Sequence, residues 1–217
     1  YPLWEVIMTT TNNRQKTRRM TEIGFLIALI VVLQTISALL VKFGFFSISL
    51  TLVPIVIGGF LMGPATGALL GGVFGVITFL FCAVGLDGGG AILFAANPFL
   101  CGVICLVKAI LAGWLAALLY RFARKKNDPD VRPKRFIAFS ALSAGLCPFV
   151  NTLIFCLGMT LFFKDVLYSW AGDTDVAYYM LTGLVGVNFL IEFCINVVLC
   201  PLLVRNLRKS RRFRDRF

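Results

Sequence analysis

Long apolar runs dominate this chain, and its charged residues are gathered in the gaps between them. A helix needs about 20 predominantly apolar residues to cross the hydrocarbon core of a bilayer. Six stretches meet or approach that length: residues 21–41, 45–63, 65–85, 93–120, 136–163 and 178–204. Pro54 lies inside the second. The tight Gly63-Pro64 turn separates the second from the third and is the shortest connection. The pattern predicts an all-α integral membrane protein of six transmembrane helices. The first run lacks a small-residue cleavage site, so it reads as a span and not as a signal peptide. Tyr1 to Ile7 precede Met8, and the expected native start is Met8. The expected organisation is a cytoplasmic N-terminal segment at 1–19, a six-helix transmembrane domain at 20–205 and a basic cytoplasmic tail at 206–217.

Composition strengthens this reading. Apolar residues make up 59% of the chain and charged residues 14%, against about 25% charged in soluble domains. Lipid accepts an apolar outer surface that water does not. The net charge of +11 is concentrated in three blocks. Arg14, Lys16, Arg18 and Arg19 precede the first span. Arg121, Arg124, Lys125, Lys126, Arg132, Lys134 and Arg135 fill the gap between spans four and five, the candidate hinge between two halves. Arg205, Arg208, Lys209, Arg211, Arg212, Arg214 and Arg216 form the tail. Even numbers of spans separate the blocks, so all three share one side. The positive-inside rule makes that side cytoplasmic, along with both termini. Such blocks favour anionic lipid headgroups; with no folded basic module, no nucleic-acid partner is expected. The loops at 42–46, 86–92 and 164–177 then face outward, and the last is acidic through Asp165, Asp173 and Asp175.

The chemistry available is narrow. Histidine is absent, which removes the commonest general base and metal ligand. No phosphate-cradling loop or hydrolase motif occurs, so no enzymatic role and no cofactor is expected. The seven cysteines all fall in apolar spans without a CxxC pair and read as small apolar residues, neither disulfides nor metal ligands.

Polar residues at membrane depth are costly and tend to be functional. Asn188, Glu192 and Asn196 recur every four positions in span six. Ser140, Ser143, Cys147 and Asn151 follow one face of span five. Asn97, Cys101, Cys105 and Lys108 do the same in span four, and span one contributes Gln34. At about 1.5 Å per residue, Lys108, Glu192 and Asn151 reach similar depths near the midplane, with Asn97, Gln34 and Asn188 shallower. Together they describe a polar pocket that opens outward and narrows toward an ionisable pair. A structural Lys108–Glu192 ion pair is the alternative. Trp170, in the aromatic outer loop with Tyr168, Tyr178 and Tyr179, is either a headgroup anchor or part of a lid. Gly63, Gly67, Gly71 and Gly75 form a small-residue face in span three, suited to close helix packing. Gly24 and Ala28 repeat that spacing near the cytoplasmic end of span one, where they serve packing or dock a partner helix.

The stretch from Leu52 to Gly75, with its Gly-Pro-x-x-Gly-Ala-x-x-Gly element, resembles the second and third helices of the S components of energy-coupling-factor (ECF) vitamin transporters. The resemblance extends over residues 20–205. It implies an S-component bundle that binds a vitamin on the outer side, docks on a transmembrane coupling subunit carrying two ATPase subunits, and tips to release its ligand inside. It makes Gly24 and Ala28 docking residues, glycine replacing the more usual alanine at the first. Asn151-Thr152 and the segment from Gly186 to Glu192 look most like pantothenate-type members. That likeness implies Asn97, Asn151 and Asn188 bonding the amide and hydroxyls of pantothenate, and Lys108 meeting its carboxylate. The expected location is a prokaryotic cell membrane. Two rivals stand beside this: a stand-alone proton-coupled transporter using Glu192, and a structural membrane subunit.

Overall fold

The computed structural model describes residues 3–42, 50–126 and 133–209; within these, side chains are described for all but 3–15, 40–42, 126, 133, 184–185, 187–188 and 208–209. All regular structure among the described residues is helical: α1 (Leu3–Lys42), α2 (Leu52–Met62), α3 (Pro64–Val84), α4 (Gly88–Ala96), α5 (Pro98–Lys126), α6 (Pro133–Phe162), α7 (Lys164–Ala171), α8 (Val176–Tyr179), a π-helical turn (Met180–Val185) and α9 (Gly186–Lys209). Five of these helices are long and apolar enough to cross a membrane, and α2 is a shorter apolar helix. The expected second span began at Phe45, but residues 43–49 lie outside the described residues, as do 127–132 of the expected hinge and the tail beyond 209. Apolar side chains cover much of the outer surface, among them Phe25, Leu142 and Leu161. Such a surface suits hydrocarbon.

Helix ends depart from the expected spans where proline and glycine intervene. The fourth span is broken into α4 and α5 at Asn97, which is extended (φ −158°, ψ 101°). Pro98 is the cause, because its ring disfavours helical geometry in the preceding residue. Hydropathy alone cannot register that break, since both sides are apolar. The sixth span is interrupted by the π-turn before Gly186. Residues 3–19 continue helically into α1, with no break at the expected domain boundary at 20. Gly63, at φ 99°, makes the α2–α3 turn, a backbone state readily available only to glycine.

The core is built around α3 and α5, which run antiparallel in unusually close contact. A Cβ placed on Gly67 would lie 2.5 Å from the carbonyl oxygen of Gly113; on Gly71 it would collide with that of Ala109; on Gly75 it would sit 2.7 Å from that of Cys105. Four residues up one helix correspond to four residues down the other, so the small face of α3 forms a regular zipper on the α5 backbone. Close approach of Cα–H groups to carbonyl oxygens adds about 0.5–1 kcal/mol per contact. The expected packing role of the α3 stripe is therefore what the structure shows from Gly67 to Gly75, while Gly63 belongs to the turn. Gly71→Ala should lower stability by about 1–3 kcal/mol, read as a lower unfolding temperature in detergent. Gly24→Ala, where the added Cβ meets nothing within 4 Å, is the matched control.

The remaining helices fasten onto this pair. Phe60 stacks on Tyr120 at 3.9 Å between ring centres, and Tyr120 meets Phe136 edge-on at 6.0 Å, joining α2, α5 and α6. A Cβ on Gly145 of α6 would lie 2.7 Å from Phe193 and 2.9 Å from Val197 of α9. Buried hydroxyls are satisfied within their own helices: Ser140 and Ser143 donate to the carbonyls of Phe136 and Phe139, and Thr78 to that of Phe74. This local bonding is the usual way for Ser and Thr to sit in an apolar helix, and it makes the serine face of α6 structural. Helix α1 is the outlier. Only 11% of its apolar window is buried, against 39% in α3 and α5. Its Arg19 reaches the carbonyl oxygen of Met62 and the hydroxyl of Thr66, which places this basic residue at the Gly63-Pro64 end of the bundle.

Candidate functional site

At the opposite end, the C-terminus of α3, the short α4, the first half of α5, the C-terminal half of α6 and α7 enclose a cavity of about 160 Å³. Water occupies about 30 Å³ per molecule in the liquid, so the cavity suits a small ligand and not a bulky one. Its position follows from the local sequence. Gly85, in the left-handed conformation (φ 74°), ends α3 and turns the chain. Asp87 then caps α4, its Oδ1 accepting from the Gly90 amide at 3.1 Å. This bond fixes the carboxylate at the cavity wall.

Helix α5 presents Cys101, Cys105 and Lys108 to the cavity. Their spacing of four and three puts them on one helical face. The Lys108 ammonium lies 4.8 Å from the centre of the Phe155 ring on α6, a cation–π arrangement. Among the described residues Lys108 forms no ion pair; the described pair is Arg18–Glu22 at 3.2 Å. Trp170 reaches the cavity wall from α7, its Cη2 atom 3.6 Å from the point where a Gly89 Cβ would stand. Helix α7 is amphipathic: Leu167 and Ala171 are buried while Tyr168 is 61% exposed. Trp170 thus faces the cavity, while Tyr168 and Tyr178 are exposed.

The predicted residues separate on this geometry. Lys108 and Trp170 share the cavity wall. Asn151 lies one turn below Phe155 on α6, and its Oδ1 is buried without a hydrogen-bond partner among the described residues. Asn97 is exposed and spent on structure, its Oδ1 accepting from the Leu100 amide at 3.1 Å where α5 begins. The break at Pro98 takes it off the α5 face that it was expected to share with Lys108. Gln34 is also removed from the cavity: its Oε1 accepts from Thr51, tying α1 to the start of α2. Glu192 is half-buried on α9 and does not line the cavity, and no Lys108–Glu192 ion pair is found among the described residues. Asn196 is fully buried and donates to the Glu192 carbonyl oxygen at 2.8 Å, a structural bond within α9. The side chain of Asn188 lies outside the described residues. Gly24 and Ala28 are exposed on α1.

Sequence reasoning passed over Asp87, Cys82 and Phe155, which complete the wall. Asp87 was placed in an outer loop without a role; its capping position before the glycine run, 88–90, was the available signal. A larger depression of about 600 Å³ among Arg121, Phe122, Arg124 and Lys125 lies on the basic end of α5. It is an open basic surface of the kind that meets anionic headgroups.

Over residues 18–204 the chain matches the family model described as ECF transporter, substrate-specific component. It is also 27% identical over 204 residues to the pantothenic acid transporter PanT of Lactococcus lactis subsp. cremoris (strain MG1363), an alignment covering 87% of this chain and 93% of that relative.

Proposed function

Since the chain belongs to the substrate-specific components of ECF transporters, we propose that it is the binding subunit of an ATP-driven importer for a small water-soluble vitamin, pantothenate before the others. The observation that carries this is the cavity in which the Lys108 ammonium stands free of any ion pair among the described residues, in a wall it shares with Asp87 and Trp170. Pantothenate is a flexible acid with a carboxylate at one end and two hydroxyls at the other, joined through an amide. Lys108 meets the carboxylate. Asp87 accepts from hydroxyls, Trp170 covers the apolar middle, and Asn151 offers its unpartnered oxygen from below. Resemblance to a pantothenic acid transporter over most of both chains supports the same choice.

The wider assembly belongs to the same reading. The chain spans a prokaryotic cell membrane six times with both termini in the cytoplasm; the transmembrane domain covers 20–205, flanked by cytoplasmic segments at 1–19 and 206–217. The positive-inside rule puts the cavity at the outer face. A transmembrane coupling subunit with two ATPase subunits docks on the face of α1 that carries Gly24 and Ala28, and supplies the ATP hydrolysis.

Purified chain, without partner subunits, should bind pantothenate with a stoichiometry of one. Calorimetric titration with pantothenate, riboflavin, folate, thiamin, biotin and niacin is the test. Heat from a different vitamin would reassign the ligand. Silence from all six would count against a binding subunit for this class.

A further inference from the structure

The inner wall of the cavity holds a second constellation. Cys82 of α3 and Cys101 and Cys105 of α5 are all buried, and their three sulfur atoms lie within 4.8 Å of one another. The α3–α5 zipper explains the meeting. Gly75 packs on the carbonyl of Cys105, and two helical turns further along α3 stands Cys82. Three thiols on two helices are thereby held in one place by backbone contacts that tolerate little movement.

We propose that Cys82, Cys101 and Cys105 form a binding site for a soft d10 cation of the Zn²⁺ and Cd²⁺ class. Thiolates are the preferred ligands of such ions. Three sulfurs at the 4.8 Å limit leave their common centre about 2.8 Å from each, against a zinc–thiolate bond of about 2.3 Å. Each sulfur therefore moves inward by about 0.5 Å, within the reach of a χ1 adjustment. The fourth position is left to water from the cavity. Asp87 stands nearby without joining the set: a Cβ on Gly90 would collide with the Cys82 sulfur and lie 3.1 Å from Asp87 Oδ2, but the carboxylate is not one of the groups whose ligand atoms lie within 4.8 Å of one another. Its Oδ1 is committed to the Gly90 amide.

Binding forms three metal–sulfur bonds as three S–H bonds break, and the protons leave through the cavity mouth. No oxidation state changes. A divalent ion with three thiolates carries a net charge of −1, and Lys108, one turn from Cys105 on the same wall, offsets it. That charge arrangement suits a site in a low-dielectric span better than an isolated thiolate cluster would.

Cadmium titration of the full chain in detergent tests the site, followed by the ultraviolet thiolate-to-metal charge-transfer band. A variant with Cys147, Cys156, Cys194 and Cys200 all changed to Ala retains only the three clustered thiols. It should bind one Cd²⁺ per chain, and Cys105→Ser in that background should weaken binding at least tenfold while the protein still elutes as a single species. X-ray absorption of the zinc form, which needs no further variant, should give three sulfurs at about 2.3 Å. Absence of stoichiometric binding, an affinity indifferent to Cys105→Ser, or fewer than three sulfurs around zinc would each overturn the proposal.

Discussion

Lys108→Met should reduce the affinity of the purified chain for pantothenate about 100-fold or more. A hydrogen bond to a charged group contributes about 1.5–3 kcal/mol net. Removing one partner of a desolvated charge pair costs about 2–5 kcal/mol, because the other charge stays buried and unmatched. At 1.4 kcal/mol per factor of ten, the middle of these ranges gives two decades. Methionine is the informative replacement. It keeps a long apolar stem against Phe155 and removes only the ammonium that sits 4.8 Å over that ring. The unfolding temperature should hold, since Lys108 has no ion pair among the described residues to lose. Calorimetry on folded variant protein reads the effect. An affinity within threefold of the parent would take Lys108 out of the binding site and leave the cation–π contact as its whole role.

Gly24→Trp should abolish vitamin uptake while leaving vitamin binding within about twofold of the parent. The position is exposed, a Cβ there meets nothing within 4 Å, and Ala28 continues the same face one turn on. An indole added at that point creates no internal clash, so the bundle and its distant cavity remain intact. A neighbouring helix that needs close approach over small residues is instead held away by the width of a ring. Uptake is measured in vesicles with the coupling and ATPase subunits, binding on the isolated chain. Equal loss of both would show that the residue serves folding.

Much of the bundle was legible because membrane spans are specified by length and hydropathy alone. The third and fifth expected spans agree with α3 and α6 to within a few residues. What escaped has a common physical cause: hydropathy is silent on backbone geometry and on register between helices. The break at Asn97-Pro98 lies inside an unbroken apolar run, and its neglect put Asn97 on a face that it does not share. Helix α7 is only eight residues long and begins with a lysine, so it reads as loop until Leu167 and Ala171 are seen to be buried. Glu192 and Lys108 have similar depths along their helices, but depth carries no azimuth, and the two turn to different neighbours. Cys82 lies on a different helix from Cys101 and Cys105; only the pairing of α3 with α5 brings it to them. That Lys108 and Trp170 line one cavity agrees with the sequence reading only as a matter of position: an unexpected charge and an amphipathic ring in an apolar chain demand an explanation by themselves.

The α3–α5 zipper divides the molecule into parts with different freedom to vary. Glycine against carbonyl oxygen admits almost no replacement, since any added carbon meets the opposing backbone. The cavity is walled largely by a short capped helix, one face of α5 and the amphipathic α7, and much of that surface carries no such backbone constraint. Mutation is therefore tolerated unevenly: the spine resists drift while the contact surface can exchange an acid, a ring or a thiol. A chain built this way can acquire a new cargo without first renegotiating its scaffold.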